Sequence, residues 1–276
     1  MKKILLLSFI SCIIFSFTKK NITWVALGDS ITYLNDHQDE TGNRVTSGYM
    51  TMLTKKLPDI HYINQGHNGW TAAAIADNIE KLGLVKADVY SVFLGTNDWW
   101  QGLAVGHLTD YQNNSGSGTL FGSFRIIINK LRSLSPDAKI ILITPMQRSD
   151  FVYINGAKNN AYGSYKAKNG QMLEQLAIAI DSIAKLEHFP LVDLYHASDM
   201  SMKDMVKYKR LKDSQTGVYK NFSYPDYIGI PFNPDTDEYP YPPDAADVTF
   251  DGLHPSDKGY GIITNMLVKI MEKYLQ

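Results

Sequence analysis

The chain has 276 residues, of which 44% are hydrophobic and 20% are charged, and its formal net charge is −1. These values are typical of a globular chain with one large core, and they argue against the broad basic surface of a nucleic-acid-binding protein. The only cysteine, Cys12, lies near the N-terminus, which excludes a disulfide framework and a thiolate metal site.

The first 20 residues have the pattern of an export signal. Lys2-Lys3 is followed by the mostly apolar residues 4–17 and then by Lys19-Lys20. A run of fourteen mostly apolar residues is too short to cross a bilayer, but it suits the core of a signal peptide. Ser11-Cys12 is similar to a lipoprotein cleavage site, although apolar residues continue beyond it. We expect residues 1–20 to direct export, so that the protein is periplasmic, secreted or anchored at the outer surface, and contacts a membrane only through this segment.

The remaining chain alternates between short apolar segments and longer amphipathic ones. Strands are predicted at residues 22–27, 61–65, 89–94, 139–144 and 191–194. Helices are predicted at 49–57, 71–82, 120–134, 172–183 and 256–270. This alternation predicts an α/β fold with a parallel sheet that helices cover on both faces. We find no boundary that indicates a second domain, so residues 21–276 are expected to form one.

Two long segments, at about 146–169 and 197–248, interrupt this rhythm. The second contains six prolines and the tyrosines Tyr219, Tyr224, Tyr227, Tyr239 and Tyr241. Loops of this length are usually functional or disordered, and the aromatic content argues against disorder. Two interpretations stay open. The tyrosines either fold over the sheet edge and contact a sugar, beside Asn221 and Asp226, or only pack the loop onto the sheet.

Four polar stretches carry the candidate chemistry: residues 28–30, 64–69, 95–98 and 251–255. The first three follow predicted strands one, two and three. The carboxyl ends of parallel strands meet at one edge of a sheet, so Ser30, Gly69 and Asn97 are expected to converge there. The fourth stretch lies just before the last helix, for which Ser256 is a candidate N-cap.

The residue types in these stretches suit acyl transfer. A serine hydroxyl becomes a good nucleophile when an imidazole accepts its proton, and a carboxylate steadies that imidazole. Asp251 and His254 can supply both groups from one turn to serve Ser30. The oxyanion that forms needs hydrogen-bond donors, for which the Ser30 and Gly69 N–H groups and the Asn97 amide are candidates.

Together the four stretches resemble the GDSL/SGNH hydrolases, whose second name lists the Ser, Gly, Asn and His found here as Ser30, Gly69, Asn97 and His254. The resemblance extends from about Ile22 to the C-terminus, apart from the long loops. It implies a flavodoxin-like three-layer α/β/α sandwich with a five-stranded parallel sheet. It also implies hydrolysis of esters or thioesters without a cofactor or metal. By this resemblance Ser30 is the nucleophile, His254 the base and Asp251 its orienting carboxylate, while Ser30, Gly69 and Asn97 form the oxyanion hole.

Several neighbouring residues have simpler interpretations. Gly66 competes with Gly69 for the oxyanion role, and we favour Gly69 because Thr71 behind it opens a helix. Asp29 is expected to be a turn or helix-entry residue, and Asp98 to bind nearby loop backbone. The six other histidines are expected to have surface or structural roles. No Gly-x-Ser-x-Gly elbow is present, which argues against the α/β-hydrolase fold.

Trp99 and Trp100 directly follow the Asn97 stretch, and at least one of them is expected to contact substrate. Their bulk favours a narrow pocket, hence a short acyl group. We therefore expect a serine esterase that removes acetyl or other short acyl groups from a small molecule or glycan. The alternatives are a lipase or lysophospholipase, a sugar O-acyltransferase and, least favoured, a carbohydrate-binding module without activity.

Overall fold

The computed structural model describes residues 21–275. The predicted export segment, residues 1–20, lies outside the described residues. Nine strands are present in this part of the chain: β1 (Ile22–Gly28), β2 (Ile60–Gly66), β3 (Val89–Phe93), β4 (Lys139–Ile143), β5 (Phe151–Val152), β6 (Asn160–Ala161), β7 (Leu191–Val192), β8 (Lys209–Lys212) and β9 (Tyr219–Phe222). Between residues 21 and 275 the α-helices are α1 (Ser30–Tyr33), α2 (Tyr49–Lys56), α3 (Ala72–Asp77), α4 (Thr96–Gln101), α5 (Leu108–Gln112), α6 (Leu120–Leu134), α7 (Leu173–Glu187) and α8 (Asp257–Met271). No helix among them is long and apolar enough to cross a membrane.

The central sheet has five parallel strands in the order β2-β1-β3-β4-β7. This is the flavodoxin-like order, with the chain reversing direction across the sheet between β1 and β3. Helices α3, α6 and α7 cover one face, and α2 and α8 cover the other. The predicted three-layer α/β/α fold with a five-stranded parallel sheet is therefore confirmed.

The two faces of the sheet are built by alternation along each strand. In β1, Val25 and Leu27 join the core beneath α3, α6 and α7, whereas Trp24 and Ala26 join the core beneath α2 and α8. Successive side chains of a strand point to opposite faces, so a strand covered on both sides reads as a continuous apolar run.

The fifth strand of the sheet is shorter than the sequence predicts. Residues 191–194 were expected to pair, but β7 ends at Val192. Beyond it the N–H of Leu194 donates to the Thr144 side-chain oxygen at 2.9 Å instead of to a backbone carbonyl of β4. A hydroxyl that offers the backbone an alternative partner ends a strand in this way.

The two long segments carry small hairpins that pack against each other. Strands β5 and β6 pair in the first segment, and β8 and β9 pair in the second. Tyr227 and Tyr241 of the second segment are fully buried in a third apolar cluster that includes Val152 of the first. The Ser149 hydroxyl donates to the Tyr227 oxygen at 2.9 Å, and the Tyr239 hydroxyl to the Val152 carbonyl at 2.7 Å. These tyrosines therefore pack the second segment onto the first.

Candidate active site

Ser30 lies at the carboxyl end of β1, as the first residue of α1. Asp29 caps that helix, because its carboxylate accepts a hydrogen bond from the Ile31 N–H at 3.0 Å. Burial raises the pKa of Asp29 to about 6, although this backbone hydrogen bond opposes the shift. The helix-entry role expected for Asp29 is confirmed, and the short turn presents the Ser30 hydroxyl at the sheet edge.

His254 and Asp251 complete a chain of hydrogen bonds with Ser30. The His254 Nε2 atom lies 2.9 Å from Ser30 Oγ, and its Nδ1 atom lies 2.7 Å from Asp251 Oδ2. The other oxygen of Asp251 accepts the N–H groups of Leu253 and His254, at 3.0 and 2.7 Å. All three members of the chain are buried, so their hydrogen bonds form in a low-dielectric surrounding where they are strong.

The loop that carries Asp251 and His254 is held from two sides. Ser256 caps α8 behind it, accepting from the Gly259 N–H at 3.4 Å. In front, the Gly252 carbonyl accepts from the Ser149 N–H at 2.9 Å. Gly252 has φ +90°, and a Cβ there would lie 2.1 Å from the Asp150 carbonyl oxygen. Only glycine permits this approach, which ties the His254 loop to the first long segment.

Helix α4 fixes the loop that follows β2. Two of its side chains bind that loop: Asn97 Nδ2 donates to the Trp70 carbonyl at 3.0 Å, and Gln101 Nε2 to the Gly69 carbonyl at 2.9 Å. Asp98 accepts the Ala72 N–H at 2.8 Å, which confirms its expected structural role. The Asn97 amide has two N–H bonds, so one stays available beside Ser30 after this contact.

The two candidate glycines of the second stretch have different positions. Gly66 packs against α1, where an added Cβ would lie 2.1 Å from the Tyr33 nitrogen, and its N–H binds Asn64. Gly69 instead lines the cavity beside Ser30. Its N–H does not belong to a helix start, because Thr71 caps α3 and Gly69 lies before that cap. The expectation that the Gly69 N–H lies at a helix start is therefore wrong, although the position of Gly69 beside Ser30 suits the role.

Ser30 and His254 open onto a cavity of about 250 Å³. The residues that line it are Ser30, Asn68, Gly69, Asn97, Trp100, Gln101, Arg148, Phe151, Tyr153, Asn159, Ala161, Leu253 and His254. A larger cleft of about 490 Å³, lined by Ile22 and Asp88 among others, lies at the opposite edge of the sheet and holds none of the four polar stretches.

Trp99 and Trp100 have different positions relative to this cavity. Trp100 lines it, whereas Trp99 is fully buried in the core with its indole N–H bound to the Gln171 carbonyl at 2.9 Å. Because the core encloses Trp99, the expectation that at least one of the two tryptophans contacts substrate depends on Trp100. None of the five tyrosines of the second long segment lines the cavity either, so sugar contact by those tyrosines within this cavity is not expected.

The first long segment supplies a wall of the cavity that the sequence did not indicate. Arg148, Phe151, Tyr153, Asn159 and Ala161 all come from it. The Phe151 ring meets the His254 ring edge-on, with centroids 5.4 Å apart. The sequence signal for this wall is the pair of aromatic residues at positions 151 and 153 of the first long segment.

Residues 21–275 contain no group of three or more His, Cys, Asp or Glu side chains placed to hold a metal ion. His67 is stacked on Trp70, with ring centroids 4.8 Å apart, and burial lowers its pKa. His196 pairs with Asp193 at 2.8 Å, a contact that raises its pKa. Both contacts fit the structural roles expected for these histidines.

Asp98 makes the stability of the protein depend on pH. Its Oδ2 atom is buried and has no hydrogen-bond partner within residues 21–275, and burial raises the pKa of Asp98 to about 7. In the unfolded chain an aspartate has a pKa of about 3.9. The folded protein therefore holds the Asp98 proton more tightly, so this carboxyl costs stability increasingly as the pH rises from about 4 to 7.

We expect Asp98→Asn to remove this cost. The free energy of unfolding of the variant, relative to the wild type, should be higher at pH 8 than at pH 5 by at least about 1 kcal/mol, because one pKa unit corresponds to about 1.4 kcal/mol. Chemical denaturation at both pH values measures the difference. Any constant effect of the new amide cancels in the comparison, and parallel pH profiles for the two proteins would contradict the prediction.

Comparisons with known proteins show the class of this protein: its fold and its matched sequence are those of an acyl hydrolase. More particularly, the model of the GDSL-like lipase/acylhydrolase family matches residues 26–262, and the chain belongs to this family. The resemblance drawn from the four polar stretches is thereby confirmed.

Solved structures agree with this assignment. A possible lipase from Chitinophaga pinensis DSM 2588, known from its crystal structure, is 61% identical to this chain in sequence. The two structures have a TM-score of 0.91, and the match covers 92% of this chain and 98% of that chain. A protein from Lactobacillus plantarum has 19% identity and a TM-score of 0.62, covering 92% and 98% of the two chains. A catalytic mutant of an acetylxylan esterase from Geobacillus stearothermophilus has 16% identity and a TM-score of 0.53, covering 91% and 94%. At these lower identities the similarity shows a shared fold. No curated protein matches the chain.

Proposed function

We propose that the protein is a serine esterase with Ser30 as nucleophile, His254 as general base and Asp251 as the carboxylate that orients it. The observation that supports this is the hydrogen-bond chain from Asp251 through His254 to Ser30, at 2.7 and 2.9 Å, which opens onto a cavity. The Asp251 carboxylate holds the proton on Nδ1, which leaves Nε2 unprotonated and able to accept the Ser30 proton.

The reaction would proceed through an acyl-enzyme. Ser30 Oγ forms a bond to the ester carbonyl carbon while its proton passes to His254 Nε2, and the carbonyl electron pair moves onto oxygen. The tetrahedral intermediate then breaks its bond to the alcohol oxygen, which takes the proton from His254. A water molecule repeats the sequence with the acyl-enzyme and releases the acid.

We propose that the N–H groups of Ser30 and Gly69 and the free N–H of Asn97 hold the developing oxyanion. Asn97→Ala should lower kcat by about 10²–10³ with a smaller change in KM, because such a donor acts mainly in the transition state. Steady-state kinetics with p-nitrophenyl acetate measure both constants. Asn78→Ala is a matched control, since the Asn78 amide also donates to a backbone carbonyl, that of Ala74 at 3.0 Å, but outside the cavity. An effect confined to KM would make Asn97 a residue for ground-state binding.

The dimensions of the cavity support a short acyl group. Its volume of about 250 Å³ lies below the range of about 300–1,000 Å³ for pockets that enclose drug-sized ligands. Its walls combine the rings of Trp100, Phe151 and Tyr153 with several side-chain amides, a mixture that suits the apolar faces and hydroxyls of a sugar. We propose that the substrate is a short-chain, acetyl-sized ester of a carbohydrate. The export pattern of residues 1–20 supports an encounter with this substrate outside the cytoplasm.

A series of p-nitrophenyl esters tests this acyl preference. We expect kcat/KM to fall at least tenfold between acetate and octanoate, because the longer chain cannot enter the cavity beside Trp100. Release of acetate from acetylated oligosaccharides is the second measurement. A lipase is the other candidate, supported by the description of the 61% identical protein as a possible lipase. A higher kcat/KM on octanoate, without acetate release from glycans, would favour the lipase.

A further inference from the structure

Arg148 is a buried cation on the wall of the cavity. It follows β4, is only 2% exposed and lines the same cavity as Ser30 and His254. Its guanidinium carbon lies 5.5 Å from the ring centroids of both Trp99 and Trp100 and 5.8 Å from that of Phe151. Aromatic faces attract a cation and fix the plane of the guanidinium, but they offer no hydrogen-bond acceptor in that plane.

The polar atoms of this guanidinium are poorly satisfied. Its Nε and Nη2 atoms are buried and have no hydrogen-bond partner among residues 21–275. The acidic residues nearby have other partners: Asp150 binds Lys209 at 3.0 Å, and Asp251 binds His254. Burial lowers the pKa of Arg148 to about 10, against the attraction of these carboxylates, so the group stays charged at neutral pH. A buried charge without a hydrogen-bonded partner is costly.

The residues that line the cavity carry positive charge through Arg148. Among the lining residues within 21–275 it is the only Asp, Glu, Lys or Arg. Beside the cavity, the Lys168 ammonium lies 3.9 Å from the centroid of the Trp100 ring, and the Lys166 ammonium lies 4.8 Å from that of Tyr162. A small cavity with one cation and, among residues 21–275, no carboxylate on its walls attracts anions.

We propose that Arg148 binds a carboxylate on the alcohol part of the substrate, which makes the substrate an acyl ester of an acidic sugar such as a hexuronate. This inference rests on the proposed esterase function. A carboxylate matches the planar guanidinium and its single charge, whereas a phosphate dianion would bring an excess negative charge into the cavity. Arg148 thereby becomes a specificity-determining residue next to the reacting ester.

The test compares two substrates of nearly the same shape, one anionic and one neutral: an O-acetylated methyl galacturonoside and its carboxamide. We expect the wild type to favour the acid by about ten- to hundredfold in kcat/KM, the size of a hydrogen bond to a charged group. Arg148→Met should bring this ratio close to one, and Arg148→Lys should restore part of it. Arg210→Met is the matched control, because Arg210 also lies over a ring, that of Tyr219 at 5.7 Å, but outside the cavity. The control should keep the wild-type ratio.

A second measurement uses only the wild-type protein, so its result does not depend on whether the variants fold. Galacturonate should inhibit hydrolysis of p-nitrophenyl acetate by the wild type at least ten times more strongly than galactose. Equal inhibition, or equal kcat/KM on the two substrates, would overturn the proposal, and stronger inhibition by inorganic phosphate would overturn the choice of a carboxylate. If no acetyl ester is hydrolysed at all, the esterase proposal fails. Calorimetric titration of the wild type and Arg148→Met with galacturonate then still tests the binding site, and equal affinities would refute it.

Discussion

Ser30→Ala should reduce ester hydrolysis by about 10⁶ in kcat, the loss observed when a nucleophile is removed from a serine hydrolase. Without the hydroxyl no acyl-enzyme forms, and His254 Nε2 loses the partner that lies 2.9 Å away. The side chain is small and lies at a helix start, so we expect the fold to persist. Circular dichroism and thermal melting, measured beside the kinetics, separate lost chemistry from lost structure.

Ser47→Ala is a matched control for this variant. Ser47 and Ser30 are each 7% exposed. The Ser47 hydroxyl, however, is buried without a partner in the described part of the chain and lies outside the cavity. The control should therefore keep its activity. A fluorophosphonate probe followed by peptide mapping gives an independent readout, with labelling expected at Ser30 in the wild type and the control. A folded Ser30→Ala protein that retains a substantial share of the activity would refute the nucleophile assignment, and labelling at another serine would relocate it.

Asp251→Asn should lower kcat by about 10⁴, as expected when a triad carboxylate becomes an amide. The amide oxygen can still accept the N–H groups of Leu253 and His254, which keeps the loop in place. Its NH₂ group then faces Nδ1 of the imidazole. Because Nδ1 must accept from that group, the ring proton moves to Nε2, and the imidazole can no longer accept the Ser30 proton.

Asp257→Asn is the matched control for Asp251→Asn, because it makes the same substitution at a similar carboxylate. Asp257 also accepts backbone N–H groups, those of Thr46 at 2.8 Å and Ser47 at 3.3 Å, but it makes no contact with His254. Its activity should stay near that of the wild type. If Asp251→Asn lost less than about tenfold in kcat, another group would have to orient His254. The predicted order of losses is therefore Ser30→Ala, then Asp251→Asn, then Asn97→Ala.

The sequence by itself determined the order of the main strands and helices and the residue types of the four polar stretches. Strands such as β1 carry a local signal, because a strand covered on both faces needs an unbroken apolar run. Helices such as α6 and α8 repeat their apolar side chains with the helical period and begin at a capping residue. The parallel topology then implied that polar residues at the strand ends would share one edge, which is where Ser30, Gly69 and Asn97 lie.

The tertiary structure alone decided which neighbours complete the site. Trp99 and Trp100 are equivalent in sequence, but adjacent residues on a helix point about 100° apart, so one enters the core and the other faces the cavity. The β5–β6 wall and Arg148 carry no periodic signal, since a two-stranded hairpin is too short to show one. In the sequence, Arg148 cannot be distinguished from other charged loop residues. Only the structure shows that the rings of Trp99, Trp100 and Phe151 surround its guanidinium. Its burial depends on contacts between segments far apart in the chain, which no local pattern encodes.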